Sequence, residues 1–292
     1  KDEIKSVLSL AADIKENPGK FSDRLKGKAL GLVFQKPSNR TRVSFEVGMY
    51  QLGGYSLYLG PDDIKLGARE ATADIAKTLS RYLDALAVRT FSHKNILELA
   101  KHATIPVINA LSDLSHPCQA LADVFTIKEK LGKSKYLKVA FIGDGNNVLN
   151  SLMQACAKTG INIAMCTPKG YEPDKDAFYQ AQEEAKKNKS SVEIAETIKK
   201  CIQGADVIYT DVWISMGQES EKEKRLADFK EFQINSKALE DAKPNYLIMH
   251  CLPAHRGEEI TGEVLDGVHS VVFDQAENRL HVQKALLIKL LK

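Results

Sequence analysis

The stretch Ala29-Leu30-Gly31-Leu32-Val33-Phe34-Gln35-Lys36-Pro37-Ser38-Asn39-Arg40-Thr41-Arg42-Val43-Ser44-Phe45-Glu46 decides how this chain is read. Its first six residues form a short continuous apolar run, the pattern of a buried strand. Val43, Val47 and Tyr50 then recur at helical period until Gly53-Gly54 closes the segment. A strand therefore hands over to a helix at Ser38-Asn39-Arg40-Thr41-Arg42. N–H groups and the positive end of a helix dipole point outward at such a junction. Two hydroxyls and two guanidiniums are added there, and Arg grips a phosphate or carboxylate at two points. An anion cradle is one reading of this cluster; a capped helix start with solvated arginines is the other.

Outward from this unit the same alternation continues. A helix is expected over about 2–14, a strand at 56–59, a helix over about 70–82 and a strand at 85–88. A further helix (94–103), a strand (105–109) and a helix opened by Pro117 and running to about 130 complete the first series. Gly132-Lys133-Ser134-Lys135 reads as a junction. A second series begins at Val139-Ala140-Phe141-Ile142 and continues with strands at 161–165, 192–194, 207–209, 246–249 and 270–273. The charged segment 218–230 is expected to be a loop entering a solvated helix, and the last helix to span about 275–291. Strands alternating with helices imply α/β architecture: two domains, each with a central parallel sheet flanked by helices, and an active site in the cleft between them. The expected domains are 1–132 and 133–274, with the C-terminal helix (about 275–292) packing back onto the first. A length of 292 residues favours two domains over one core.

Composition narrows the function. With 43% hydrophobic and 27% charged residues the chain is of ordinary globular type. A net charge of +3, from 41 basic and 38 acidic residues, is too balanced to argue for nucleic acid or a membrane surface. No apolar run approaches the roughly 20 residues of a membrane span, and the start shows no signal-peptide pattern. Five cysteines, widely spaced and without a C-x-x-C pair, fit free thiols in a reducing, cytoplasmic setting.

The unusual polar residues fall where strands end, and ligands of open parallel sheets collect at those ends. Ser38 to Arg42, Arg89, His116 to Gln119, Asn146-Asn147, Asp211 to Gly217 and His250 to Pro253 all follow expected strands. Gly143-Asp144-Gly145-Asn146-Asn147 partly resembles a dinucleotide fingerprint. Val148 stands at its third glycine position, however, and the next strand ends in Cys166-Thr167 instead of an acid, so a nicotinamide cofactor is not expected. Neither His116-Pro117-Cys118-Gln119 nor His250-Cys251 has the paired spacing of a zinc site, and no metal is expected. Cys251 could be a nucleophile with His116 or His255 as its base, or a structural thiol. Asp211 and Ser215 could bind an ammonium group, or form an Asx-type turn.

Four motifs together resemble those of the ornithine carbamoyltransferases, in the aspartate/ornithine carbamoyltransferase superfamily. Ser38-Asn39-Arg40-Thr41-Arg42 resembles the S-x-R-T-R carbamoyl-phosphate signature, and His116-Pro117-Cys118-Gln119 the H-P-x-Q motif. Asp211 to Gly217 resembles D-x-W-x-S-M-G, and His250-Cys251-Leu252-Pro253 resembles H-C-L-P. The resemblance covers essentially the whole chain. It implies transfer of the carbamoyl group of carbamoyl phosphate to the δ-amine of L-ornithine, giving citrulline and phosphate in arginine metabolism. A carbamoyltransferase acting on another amine, such as putrescine, is the alternative. Catalytic roles are implied for Arg40, His116, Asp211 and Cys251. Carbamoyl-phosphate contacts are implied for Ser38, Asn39, Arg40, Thr41, Arg89, His116, Gln119, Cys251, Leu252 and Arg279. Asn147, Asp211, Ser215 and Met216 are implied for ornithine. No cofactor is implied, and the family is built on trimers. Lys65 stands where the family places a residue that reaches a neighbouring subunit's site; ornithine enzymes often use Gln or His there, so the contact of Lys65 with carbamoyl phosphate in trans is open.

Overall fold

The structure, a computed structural model, describes residues 1–66, 70–132, 136–215 and 217–291. The chain divides into two compact units: Lys1–Ala122 with Glu277–Lys292, and Asp123–Ala276. The sequence reading placed its division at 132, in a junction whose residues 133–135 lie outside the described ones.

In the first unit the order is α1 (Asp2–Glu16), β1 (Ala29–Phe34), α2 (Asn39–Gln51), β2 (Tyr55–Leu59), α3 (Thr72–Leu79), β3 (Ala85–Arg89), α4 (His93–His102), β4 (Val107–Leu111) and α5 (Pro117–Leu131), which continues into the second unit. Its strands are all parallel, in the order β2-β1-β3-β4. β3 is buried along its whole length, which is why Ala85-Leu86-Ala87-Val88 is continuously apolar where a half-exposed strand would alternate. Val33, Leu86 and Val88 pack there with Ile75 of α3 and with Ile96 and Leu99 of α4. Truncating one of these large side chains to Ala costs about 2–5 kcal/mol.

In the second unit the order is β5 (Lys138–Ile142), α6 (Asn147–Thr159), β6 (Asn162–Cys166), α7 (Lys175–Asn188), β7 (Val192–Ile194), α8 (Ile198–Ile202), β8 (Val207–Thr210), α9 (Lys222–Phe229), β9 (Leu247–His250), α10 (Gly262–Leu265) and α11 (Val272–Leu290). The sheet is again parallel, in the order β7-β6-β5-β8-β9. In both units the order reverses beside the first strand, at β1/β3 and at β5/β8. Open α/β sheets bind ligands at such switch points.

Two expectations are corrected. Ser270-Val271-Val272-Phe273 is not a strand: Ser270 makes only an isolated bridge with Ile248, and α11 begins at Val272. A run of three apolar residues, two of them β-branched, does not separate a strand from a buried helix start. The charged segment 218–230 contains α9, but this helix is not wholly solvated, because Arg225 and Phe229 are buried. From residue 277 onward α11 belongs to the first unit, where Lys284 Nζ reaches Gln51 Oε1 at 2.9 Å and Asn278 Oδ1 accepts from Lys15 Nζ at 2.9 Å. Among the described residues no helix is long and apolar enough to cross a membrane.

Candidate functional site

In the first unit, Ser38 is the N-cap of α2: its backbone is extended and its hydroxyl accepts the Thr41 N–H at 3.2 Å. A Ser in that role satisfies one of the donors that open a helix and leaves its neighbours directed at solvent or ligand. Asn39 is exposed, and Arg40 is half-buried beside it. Arg42 turns away: its Nε lies 3.0 Å from Glu46 Oε1, and its guanidinium stacks over Tyr58 at 3.7 Å. The arginines of this stretch therefore divide, with Arg42 engaged on the helix side.

Arg279 of α11 ties this helix start to α5. Its Nη2 donates to Thr41 Oγ1 at 3.0 Å and its Nη1 to Gln119 Oε1 at 2.6 Å. Arg89, the last residue of β3, is buried, as are His116, Gln119 and Arg279. His116 is held well below its ordinary range, chiefly by burial and then by the fields of Arg279, Arg89 and Arg40. Three cations thus converge on one neutral imidazole, and an anion placed there gains from each of them. Lys36 is also buried, with Nζ 4.2 Å from the centre of the Phe91 ring. Lys65 is exposed in the loop after β2.

In the second unit, Asn146 caps α6. Its Oδ1 accepts the N–H groups of Val148 and Leu149 at 2.9 and 3.2 Å, and its Nδ2 donates to Asp211 Oδ2 at 2.7 Å. The other Asp211 oxygen accepts from Val212 N at 2.8 Å and from the Cys251 thiol at 2.9 Å. The Val212 contact reaches only the next residue, one short of an Asx turn. Asn147 is half-buried beside them. Ser215 N donates to Gln218 Oε1 at 2.9 Å, which turns the loop after β8. Met216 lies outside the described residues.

His250 and Cys251 face different partners. The His250 ring is fully buried between Glu259 and the backbone of Leu252, whereas Cys251 is half-buried against Asp211. Burial pushes the thiols of Cys118 and Cys166 up to about 11 and that of Cys201 to about 12, so these are core groups. Leu252 sits at φ 58°, a left-handed conformation that costs a branched residue roughly 1–2 kcal/mol. Strain of this kind persists only where the surroundings over-determine it.

Two elements here escaped the sequence reading. Arg225 of α9 donates from Nη1 to Asp144 Oδ2 at 3.1 Å and to the Trp213 carbonyl at 2.9 Å, and from Nε to Glu221 at 2.9 Å. It joins the loops after β5 and β8, the two that carry Asn146 and Asp211. The carboxyl of Asp144 is pushed up to about 6 by burial, against the opposing pull of Arg225. Glu221 and Arg225, four residues apart on a predicted helix, were the available signal. The glycines of Gly143-Asp144-Gly145 have a packing reason as well. A Cβ on Gly145 would meet the Glu172–Pro173 backbone at 2.3 Å, and Gly145 N donates to the Tyr171 carbonyl at 2.9 Å. The second missed element, Glu259, follows the H-C-L-P motif by only a few residues.

Comparison with known proteins matches each half of the chain separately. Residues 1–129 fit the family model described as aspartate/ornithine carbamoyltransferase, carbamoyl-P binding domain, and residues 135–290 fit its Asp/Orn binding domain. The chain is 53% identical to the ornithine carbamoyltransferase of Thermococcus kodakarensis, over 98% of this chain and 92% of that protein. It is likewise 53% identical to the anabolic ornithine carbamoyltransferase of Pyrococcus furiosus, over 98% and 91%. Superposed on the solved ornithine carbamoyltransferase from Pyrococcus furiosus it gives a TM-score of 0.95, covering 98% of this chain and 92% of that one.

Proposed function

The chain belongs to the aspartate/ornithine carbamoyltransferase family, and we infer from that premise that it transfers the carbamoyl group of carbamoyl phosphate to the δ-amine of L-ornithine, giving L-citrulline and phosphate. The observation that carries this reading is the distribution of charge between the units. One holds a neutral imidazole among three arginines, suited to a phosphorylated carbonyl compound. The other holds a carboxylate bonded to a thiol and an amide, suited to an amino acid.

The first cluster binds carbamoyl phosphate. Ser38, Asn39, Arg40, Thr41 and Arg89 hold the phosphate at the start of α2, where N–H groups and guanidiniums stabilise the charge that develops as it leaves. His116 and Arg40, with Gln119 and Arg279, polarise the carbamoyl group. The main chain at Cys251-Leu252 accepts from its amide. Asn147, Asp211, Ser215 and the Met216 backbone hold the amino-acid end of ornithine.

At pH 7 only about one δ-amine in a thousand is neutral in water. Its ammonium must lose a proton before nitrogen can attack the carbamoyl carbon. Asp211 and Cys251, whose thiol and carboxylate are hydrogen-bonded to one another, are the groups proposed to take that proton. Attack forms the N–C bond and places negative charge on the carbonyl oxygen, beside His116 and Arg40. The C–O bond to phosphate then breaks, and the second amine proton leaves with the phosphate. Fixing both substrates supplies the proximity that the bimolecular reaction lacks.

The relatives' anabolic naming favours arginine biosynthesis as the setting. The five free thiols favour a cytoplasmic location. A homotrimer is proposed, with the exposed Lys65 reaching carbamoyl phosphate in a neighbouring subunit. Stoichiometric citrulline and phosphate release from ornithine and carbamoyl phosphate tests the reading. Phosphate release without citrulline would mean hydrolysis instead.

A further inference from the structure

We propose that Glu259 is a positioning residue for the transfer reaction, acting through His250 on the main chain at Cys251-Leu252. The proposal rests on the reading above, in which that main chain holds the carbamoyl amide.

The Leu252 N–H donates to His250 Nδ1 at 2.9 Å. A backbone N–H is only a donor, so Nδ1 carries the lone pair and the ring proton sits on Nε2. That Nε2–H points at Glu259 Oε1, 3.1 Å away. The same carboxylate oxygen accepts the His255 N–H at 2.6 Å. His250 and Glu259 are both fully buried, so no solvent competes for these bonds. Glu259 is itself fixed, because its carbonyl accepts the Ile234 N–H at 2.9 Å. The other end of His250 is held as well: its backbone N–H donates to Gln275 Oε1 at 2.9 Å.

The chain of bonds therefore runs from a rooted carboxylate, through one tautomer of a histidine, to the N–H of a residue held at positive φ. Strained residues are kept only by such over-determination. Glu259 keeps Nδ1 unprotonated, and Nδ1 keeps Leu252 in the conformation that sets the direction of the neighbouring carbonyls. A protonated Nδ1 would set two donors face to face, and the turn would relax.

The test compares wild type with Glu259→Gln and Glu259→Asp in the full-length protein. Gln is nearly isosteric, but its amide can donate to Nε2 and so stabilises the opposite ring tautomer. Asp keeps the acceptor on a shorter arm. The expected result for Glu259→Gln is a kcat lower by about 10²-fold, the loss typical of a reacting group displaced by about 1 Å. Its KM for ornithine and its melting temperature should stay near wild type, with partial recovery in Glu259→Asp. Histidine 15N shifts in the unliganded protein should move from an unprotonated to a protonated Nδ1 at His250. An unchanged kcat, or an unchanged His250 tautomer, overturns the proposal. A kcat loss that only follows a fall in melting temperature also overturns it, since that is what bulk destabilisation gives. If wild type makes no citrulline, the functional reading fails, while the tautomer readout still decides whether Glu259 sets His250.

Discussion

The Cys251 thiol lies 2.9 Å from Asp211 Oδ1, and the second oxygen of that carboxylate accepts from Asn146 at 2.7 Å. Residues from the ends of three different strands therefore meet at one carboxylate. The pairing explains why a cysteine beside a buried histidine is no catalytic dyad here: the thiol and the imidazole are directed to different carboxylates.

Asp211→Asn preserves the size of the side chain and removes the anionic acceptor. Its kcat should fall by about 10²–10⁴-fold, the usual scale of a proton-transfer contribution, while carbamoyl-phosphate affinity measured without ornithine stays unchanged. Cys251→Ser should lower kcat and shift the pH–rate profile. Mass spectrometry during turnover should find no covalent adduct on Cys251 in wild type.

Arg40→Ala should weaken carbamoyl-phosphate binding by about 10–100-fold, the scale of a lost charged hydrogen bond. Calorimetric titration measures this directly. Ser38→Ala should cost about 1 kcal/mol of stability by uncapping α2, against a few tenths for Ser38→Gly. Urea denaturation separates the two variants.

His116 makes stability depend on pH in a definite direction. Its folded value lies well below 6.5, so below that pH the unfolded chain takes up a proton that the folded chain refuses. The contribution is intact above 6.5 and is lost as pH falls, by up to about 1.4 kcal/mol per pH unit. Urea denaturation of wild type and His116→Gln at about pH 5 and about pH 7.5 should show the variant gaining relative to wild type in acid.

Arg225 neutralises a buried carboxyl that burial raises to about 6. Arg225→Met should cost about 3–5 kcal/mol, the penalty of stranding one partner of a buried pair. The sign with pH is opposite to that of His116. A raised carboxyl favours the folded state below its unfolded value of 3.8 and loses that advantage as pH rises through about 6. Without Arg225 the carboxyl rises further, so the variant should weaken most on the alkaline side. Adding Asp144→Asn should restore part of the loss. Freed from Arg225, the Trp213 carbonyl no longer anchors the Asp211 loop, and the KM for ornithine should rise.

The central strands were legible because they are buried on both faces and so read as short, unbroken apolar runs, as at Ala85-Leu86-Ala87-Val88. The clusters at their ends were legible because Ser38, Arg89, His116 and Asp211 are unusual residues for a core and stand at or soon after the ends of such runs; Cys251, of a type common in cores, was marked by its place in an exit loop. Ser270-Val271-Val272-Phe273 misled because its three apolar residues fit a strand and a buried helix start equally. The roles of Arg225 and Glu259 were hidden for another reason, the spacing of Glu221 and Arg225 being the one hint. A charged residue in a charged segment looks solvated, and only the folded chain shows Arg225 spanning Asp144 and Trp213, or Glu259 closing over His250. A pair such as Arg225 and Asp144, 81 residues apart, leaves no period in the sequence.

The central claim is that the second unit selects an α-amino acid bearing a terminal amine. Initial rates of carbamoyl transfer to L-ornithine and to putrescine, which keeps both amines but lacks the carboxylate of the amino-acid end that Asn147, Asp211 and Ser215 are proposed to hold, test it most directly. The account predicts a kcat/KM for ornithine at least about 10²-fold higher, since leaving a site's polar groups unpaired is heavily penalised. Equal or faster carbamoylation of putrescine would contradict it.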